Sequence, residues 1–235
     1  MRSGAVKLLM LLVVMSSFST ALGGGREAAR RVREGMAHFE AGEYEKAAEA
    51  FAEADVALPE DAWIAFDRAC VYAAQGDTEK AGEGFEQAAL SRDAGLAVRS
   101  RYNLGSMAAE KARVLFGEKP EEAPAEVRGE GLGLLIQAVG HFRDCLQLDS
   151  AHADARHNLE VIRLWIKHMQ EVWRQRDREK QREEMDLLEF LQMIEAQQRA
   201  LRTATRALGG QSDSPQRRQA LVSTETSQRE LAEEN

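Results

Sequence analysis

Proline is scarce in this chain, four among 235 residues, so few positions are barred from helix. Strand-like alternation of β-branched residues is absent throughout, and aromatic side chains make up only 6 % of the sequence. With Ala, Glu, Leu, Arg and Gln abundant, these shortages predict a nearly all-helical protein. Cysteine is rarer still. Cys70 and Cys145 form no CxxC pair, and nothing in the sequence has metal-ligand spacing, so no metal or cofactor is expected. A basic field is missing too: the net charge of −8 argues against a duplex nucleic-acid binder. The histidines His38, His141, His152, His157 and His168 make no HExxH pair, and no Gly-x-Ser-x-Gly elbow occurs. Gly23-Gly24-Gly25 lacks the Lys-Ser/Thr of a phosphate loop, so no catalytic residue and no enzyme is expected. The weakly apolar run from Leu8 to Leu22 is short for a membrane span, which takes about 20 apolar residues.

What the chain has is an internal register with a period of about 34 residues. Gly35, Gly42, Tyr44, Ala47, Phe51, Ala54 and Pro59 fall in order, and Ala69, Gly76, Ala81, Phe85 and Ala88 stand one period after five of them. The spacing describes a helical hairpin. Small residues on the first helix let the second approach, Phe51 and Phe85 fill the gap to the next hairpin, and Gly42 and Gly76 fall in the turns, where positive φ favours glycine. Pro59 stops the second helix. A lone hairpin cannot bury its apolar face, so copies must stack.

This pattern resembles the tetratricopeptide repeat (TPR). The resemblance implies an all-α TPR helical-hairpin superhelix of about three repeats over residues 26–165, and a protein that holds partners and seldom does chemistry.

The third copy is split. Tyr102-Asn103-Leu104-Gly105 opens it, but Ala138, Phe142 and Cys145 arrive late. The step from Gly35 to Ala47 in the first copy becomes nearly three times as long from Gly105 to Ala138, so a segment near 112–131 is inserted. The insert reads as a helix extension plus a mobile loop from Glu118 to Glu130, either a partner-contacting flap or a tolerated insertion at a hairpin tip. Cys145 takes the place of Ala54 and Ala88. Two small buried thiols fit these positions; a disulfide is the alternative in an oxidising compartment.

Beyond Asp149-Ser150 another first helix starts, with Asn158-Leu159 repeating the Asn103-Leu104 step. Leu159, Ile162, Ile166, Met169 and Trp173 continue it as one long amphipathic capping helix, whose end from Arg174 to Glu184 is wholly polar. Leu187, Leu191, Ile194 and Leu201 begin a second stripe, with Asp186 and Glu189 as its start signal and Gly209-Gly210 as its stop. Residues 166–208 thus form a helical extension. Residues 209–235 read as a linker with a tail that is either a coiled hairpin partner or frayed.

Charge and leader point to location and partner. Residues 26–152 carry 15 basic and 24 acidic side chains, whereas residues 153–208 carry 11 and 10. Arg2 and Lys7, the apolar run Leu8 to Val14, and Ser19-Thr20-Ala21 lay out a secretory signal peptide over residues 1–21, or an uncleaved N-terminal anchor. Either places the repeats outside the cytoplasm, in the periplasm or tethered to the inner membrane. With the "RYNLG" and "ARHNLE" steps and the "LLEFLQMIEAQQRALR" segment, the chain resembles the exported TPR proteins of bacterial Bat (aerotolerance-type) gene clusters. That resemblance implies an adaptor working with von Willebrand A-type domain proteins and their AAA-type ATPase.

In TPR arrays the concave groove is lined by set positions of each first helix. Here these include Phe39, Trp63, Phe66, Arg99, Tyr102 and His157. They make an apolar, aromatic groove with Arg99 as its cationic side, suited to a helix or extended apolar peptide. The alternative is that the chain's own long helix covers them. The function expected is an extracytoplasmic protein-protein interaction scaffold; the alternative is an envelope or secretion assembly factor that homo-oligomerises through its C-terminal helices.

Overall fold

Asp side chains start three of the helices that the described residues form. In a computed structural model, which describes residues 24–185, 187–209 and 212–234, Asp61 accepts from the backbone N–H of Trp63 (2.9 Å) and Ile64 (3.1 Å). Asp77 accepts from Lys80 N and Asp93 from Leu96 N, both at 3.1 Å. Each cap satisfies donors that the first helical turn leaves open, an effect of about 1 kcal/mol. The described residues form nine α-helices, a short 3₁₀ turn and no strand. They are α1 (Gly24–Glu40), α2 (Tyr44–Ala57), α3 (Ala62–Gln75), α4 (Thr78–Ala89), α5 (Ala94–Phe116), α6 (Ala125–Leu148), α7 (Ala153–Glu184), α8 (Leu187–Gly209) and α9 (Pro215–Glu234). The leader and the Asp186 start signal lie outside the described residues. No described helix is long and apolar enough to cross a membrane.

The chain divides into two compact units, the first ending at Gln170 and the second beginning at Glu171. In the first, helices pack as consecutive pairs, α1 on α2, α3 on α4 and α5 on α6, and each pair meets the next through α2–α3 and α4–α5. The turns within the first two pairs close alike. Gly42 (φ 75°) and Gly76 (φ 82°) adopt the left-handed conformation. In the first turn the Glu43 N–H donates to His38 O, and in the second the Asp77 N–H donates to Tyr72 O, both at 2.9 Å. These bonds satisfy carbonyls at the helix ends.

Packing explains the register. Phe51 lies in a core with Ala28, Val32, Ala47, Ala54, Ile64 and Val71, which joins α1, α2 and α3. Phe85 does the same with Phe66, Ala69, Ala81, Leu96 and Leu104 across α3, α4 and α5. In the first and third pairs the ring is seated on a glycine. A Cβ at Gly35 would stand 2.9 Å from Phe51 Cε2, and one at Gly105 would stand 2.9 Å from Phe142 Cε1. The second pair has Ala69 in that place and shifts the small residue to α4. A Cβ at Gly84 would come within 2.9 Å of Ala69 Cβ and of Ala65 O.

The inserted residues lengthen both helices of the third pair, to 23 residues in α5 and 24 in α6. This corrects the expectation of a loop from Glu118 to Glu130. Helix α6 begins at Ala125, and only residues 117–124 connect, with the 3₁₀ turn Pro120–Glu122 among them. The extension holds because it has its own core. Ala112, Phe116, Ala123 and Leu135 are buried, Arg128 Nε donates to Ala123 O (2.6 Å), and the Phe116 ring lies over Gly131, where a Cβ would overlap it.

In the second unit α8 packs on α9, so the tail is helical and paired. Ile194, Leu208 and Leu231 are buried there. Arg217 Nε donates to Leu208 O (3.0 Å) and Ser214 Oγ accepts from Arg217 N (3.1 Å), which fixes the connection. Glu230 of α9 pairs with Arg174 (3.1 Å) and Arg178 (3.5 Å) of α7.

Candidate binding surface

Trp63 stands in the first turn of α3, half-buried, its backbone fixed by the Asp61 cap. Its ring meets Phe66 edge-on (6.5 Å between centroids), and the Arg99 guanidinium of α5 lies over it at 5.8 Å. Such a stack holds a large aromatic side chain in one orientation while part of it remains in solvent. The sequence-derived residues Trp63, Phe66 and Arg99 are therefore brought together.

Phe66 and Tyr102 are spent on internal packing. Phe66 is 1 % exposed and packs edge-on against Phe85 (5.4 Å), so its ring belongs to the core between α3, α4 and α5. Tyr102 is 7 % exposed, with Phe142 at 5.6 Å on one side and His152 stacked at 5.0 Å on the other. Asn158 Nδ2 of α7 donates to its hydroxyl oxygen at 3.3 Å. Burial raises the Tyr102 pKa above the ordinary phenol range, and the Asn158 hydrogen bond works against that rise. The start of α7 thus covers Tyr102. His157 itself is exposed on α7, beside the Asn158 that makes the contact.

Phe39 lies apart from this group, half-buried at the end of α1 and tilted against Tyr44 at 5.5 Å. With Met36, Glu40, Phe51, Asp67 and Cys70 it lines a slot of about 10 Å³ between α1 and α3, room for about one water. Asp67 is 2 % exposed there. Burial, and then the Asp67 carboxylate, push the Cys70 thiol well above its ordinary pKa. Cys145 is likewise a buried free thiol, raised to about 11 by burial with a further push from Asp149.

The sequence reading missed His152 and Asn158. His152 takes the place that Asp61 and Asp93 hold before α3 and α5. Its Nδ1 accepts from Ala155 N at 3.2 Å, so it caps α7 while stacking on Tyr102. The position just before a helix was the available signal; histidine is an unusual cap and hid it. Asp67 was missed as well, because a charged residue beside an apolar stripe reads as solvated. What the arrangement offers is a partly exposed aromatic-cationic pair, Trp63 on α3 and Arg99 on α5, with Phe39 on α1 separate from it. No protein-family model matches this chain, and no curated protein matches it.

Proposed function

We propose that the protein is an extracytoplasmic interaction scaffold built from TPR-type hairpins, which holds a helix or extended apolar peptide of a partner protein. The observation that carries this reading is the half-buried Trp63 ring held by Arg99 on consecutive first helices. A fixed aromatic face costs little entropy to bind, and such anchors dominate affinity at protein interfaces. The resemblance to Bat-cluster proteins names the partner class: von Willebrand A-type domain proteins of the envelope. The exported location rests on the leader-like residues 1–21 alone. Capture of such a partner by the purified full-length chain tests the reading. Trp63→Ala should weaken capture by about 2 kcal/mol, the scale of an anchor residue. Capture that survives this change and is lost on deleting residues 186–235 would move the binding surface to the C-terminal helices.

A second reading has its own observation. Leu187, Leu188 and Leu191 at the start of α8 are 75 %, 65 % and 55 % exposed, a cluster of apolar area on one short stretch. An assembly factor that oligomerises through its C-terminal helices would cover them. Its mass in sedimentation should then rise with concentration, and Leu187→Ser with Leu191→Ser should abolish the rise.

A further inference from the structure

The surface between α8 and α9 has a different chemistry from the Trp63 wall. A groove of about 510 Å³ opens there. Leu201 of α8 with Leu231 and Ala232 of α9 supply its apolar lining, and Gln228, Arg202 and Arg206 bring polar groups to it. The two arginines are exposed and stand four residues apart, hence one helical turn, roughly 6 Å. The other arginines of these helices are engaged. Arg199 pairs with Glu195 (2.6 Å), Arg218 with Asp213 (3.5 Å) and Arg229 with Glu225 (3.3 Å), while Arg217 holds Leu208 O. Among the described residues Arg202 and Arg206 have no such partner.

We infer that this groove docks an acidic amphipathic helix of a partner protein. The groove is open rather than enclosed, so it does not surround a small molecule but can receive one face of a helix. A helix supplies an apolar stripe for Leu201, Leu231 and Ala232, and carboxylates four residues apart on its flank match the spacing of Arg202 and Arg206. A second copy of the chain is the poorer occupant. Two-fold pairing through this groove would join two copies of a lining that holds Arg202 and Arg206 and no carboxylate to pair with them. An anionic membrane is poorer too, because residues 171–235 carry 11 basic against 13 acidic side chains and lack the cationic excess that a lipid surface attracts.

The test uses the full chain and a fluorescein-labelled designed helical peptide with leucines at helical spacing and glutamates four residues apart beside them. Fluorescence anisotropy should show saturable binding that weakens as salt rises, and the same peptide with lysines for glutamates should not bind. Arg202→Ala with Arg206→Ala should weaken binding about tenfold, as expected for two charge pairs. Ala232→Trp, which fills the exposed lining and leaves the arginines, should also abolish binding, with circular dichroism unchanged in both variants. Equal binding of the glutamate and lysine peptides, or undiminished binding by the double arginine variant, would overturn the proposal. So would co-sedimentation with phosphatidylglycerol vesicles without peptide binding, or a concentration-dependent mass that Ala232→Trp abolishes.

Discussion

The Phe51 ring is seated on Gly35 so closely that a Cβ there would stand 2.9 to 3.0 Å from three of its carbons, and Gly105 bears the same relation to Phe142. The ring is enclosed on its other faces by the core between hairpins, so it cannot swing away. Gly35→Leu and Gly105→Leu should each cost roughly 1–3 kcal/mol, the usual scale of overpacking. Helical glycines with open surroundings should behave oppositely. A Cβ at Gly140 would meet nothing within 4 Å. Gly140→Ala should therefore stabilise by roughly 0.5–1 kcal/mol through backbone entropy alone. Denaturant melts of the three variants decide this, and a loss at Gly140 as large as at Gly35 would refute the packing argument.

Gly131 extends the same logic to the lengthened third hairpin. Its missing side chain makes room for Phe116, and the Phe116 ring meets Trp165 of α7 at 5.2 Å. The inserted residues thus build a ledge against which α7 packs. Gly131→Ala should displace Phe116 and loosen Trp165, shifting tryptophan emission to longer wavelength at a cost of roughly 1–3 kcal/mol. Trp165→Phe in the same background identifies the responding ring. Emission unchanged by Gly131→Ala would mean that the ledge and α7 are not coupled through Phe116.

The hairpins were legible because their determinants are local and repeat: Gly42 and Gly76 set the turns, and Gly35, Ala47 and Phe51 recur at fixed spacing. The insert was only half legible. Pro120, Pro124 and the acidic run suggest a loop to Glu130, yet α6 already begins at Ala125, and the Phe116 ring packs over its Gly131 across the hairpin. That contact has no sequence signature. The groove suffered most. Register assigned Phe66 and Tyr102 to an open wall, but the burial of Tyr102 depends on Phe142, His152 and Asn158, all far along the chain from it. The tail was open between hairpin and frayed chain; Arg217 closing on Leu208 and Glu230 on Arg174 favour the ordered form, and neither contact is written in a local pattern.

The two thiols provide a pH-dependent readout. Burial raises both, Cys145 to about 11 and Cys70 well above its ordinary value. At pH 8 the native protein should therefore react with Ellman's reagent far more slowly than a free thiol, since the thiolate is the nucleophile and access is blocked. Both should react at once in denaturant. The stability consequence has a definite sign. The native state keeps these protons to higher pH than the unfolded chain does, so the contribution is fully present below the ordinary thiol range. It is lost as pH rises toward 11. Cys145→Ala should flatten that alkaline decline. A thiol of the native protein reacting within seconds at pH 8 would show that one of these sites is open.

Trp63 and Arg99 offer the sharpest probe of the binding wall, because Trp63 is partly exposed whereas Tyr102 is buried. Tyr102→Ala would remove a core ring and so confound binding with folding; Trp63→Ala should leave the fold standing, since its neighbour Phe66 keeps its own packing on Phe85 at 5.4 Å. Arg99→Ala removes the cation above the indole, a contact worth about 0.5–1 kcal/mol at an exposed site. Arg99→Lys keeps the charge but not the planar guanidinium that stacks. If the stack fixes the indole for a partner, Arg99→Ala should raise quenching of Trp63 emission by iodide and weaken partner capture. Arg99→Lys should fall between wild type and alanine in both measurements. Trp165→Phe and Trp173→Phe in the same chain isolate the Trp63 signal. Unchanged quenching together with weakened capture would assign Arg99 to direct contact with the partner, and unchanged capture in every variant would remove this wall from the binding surface.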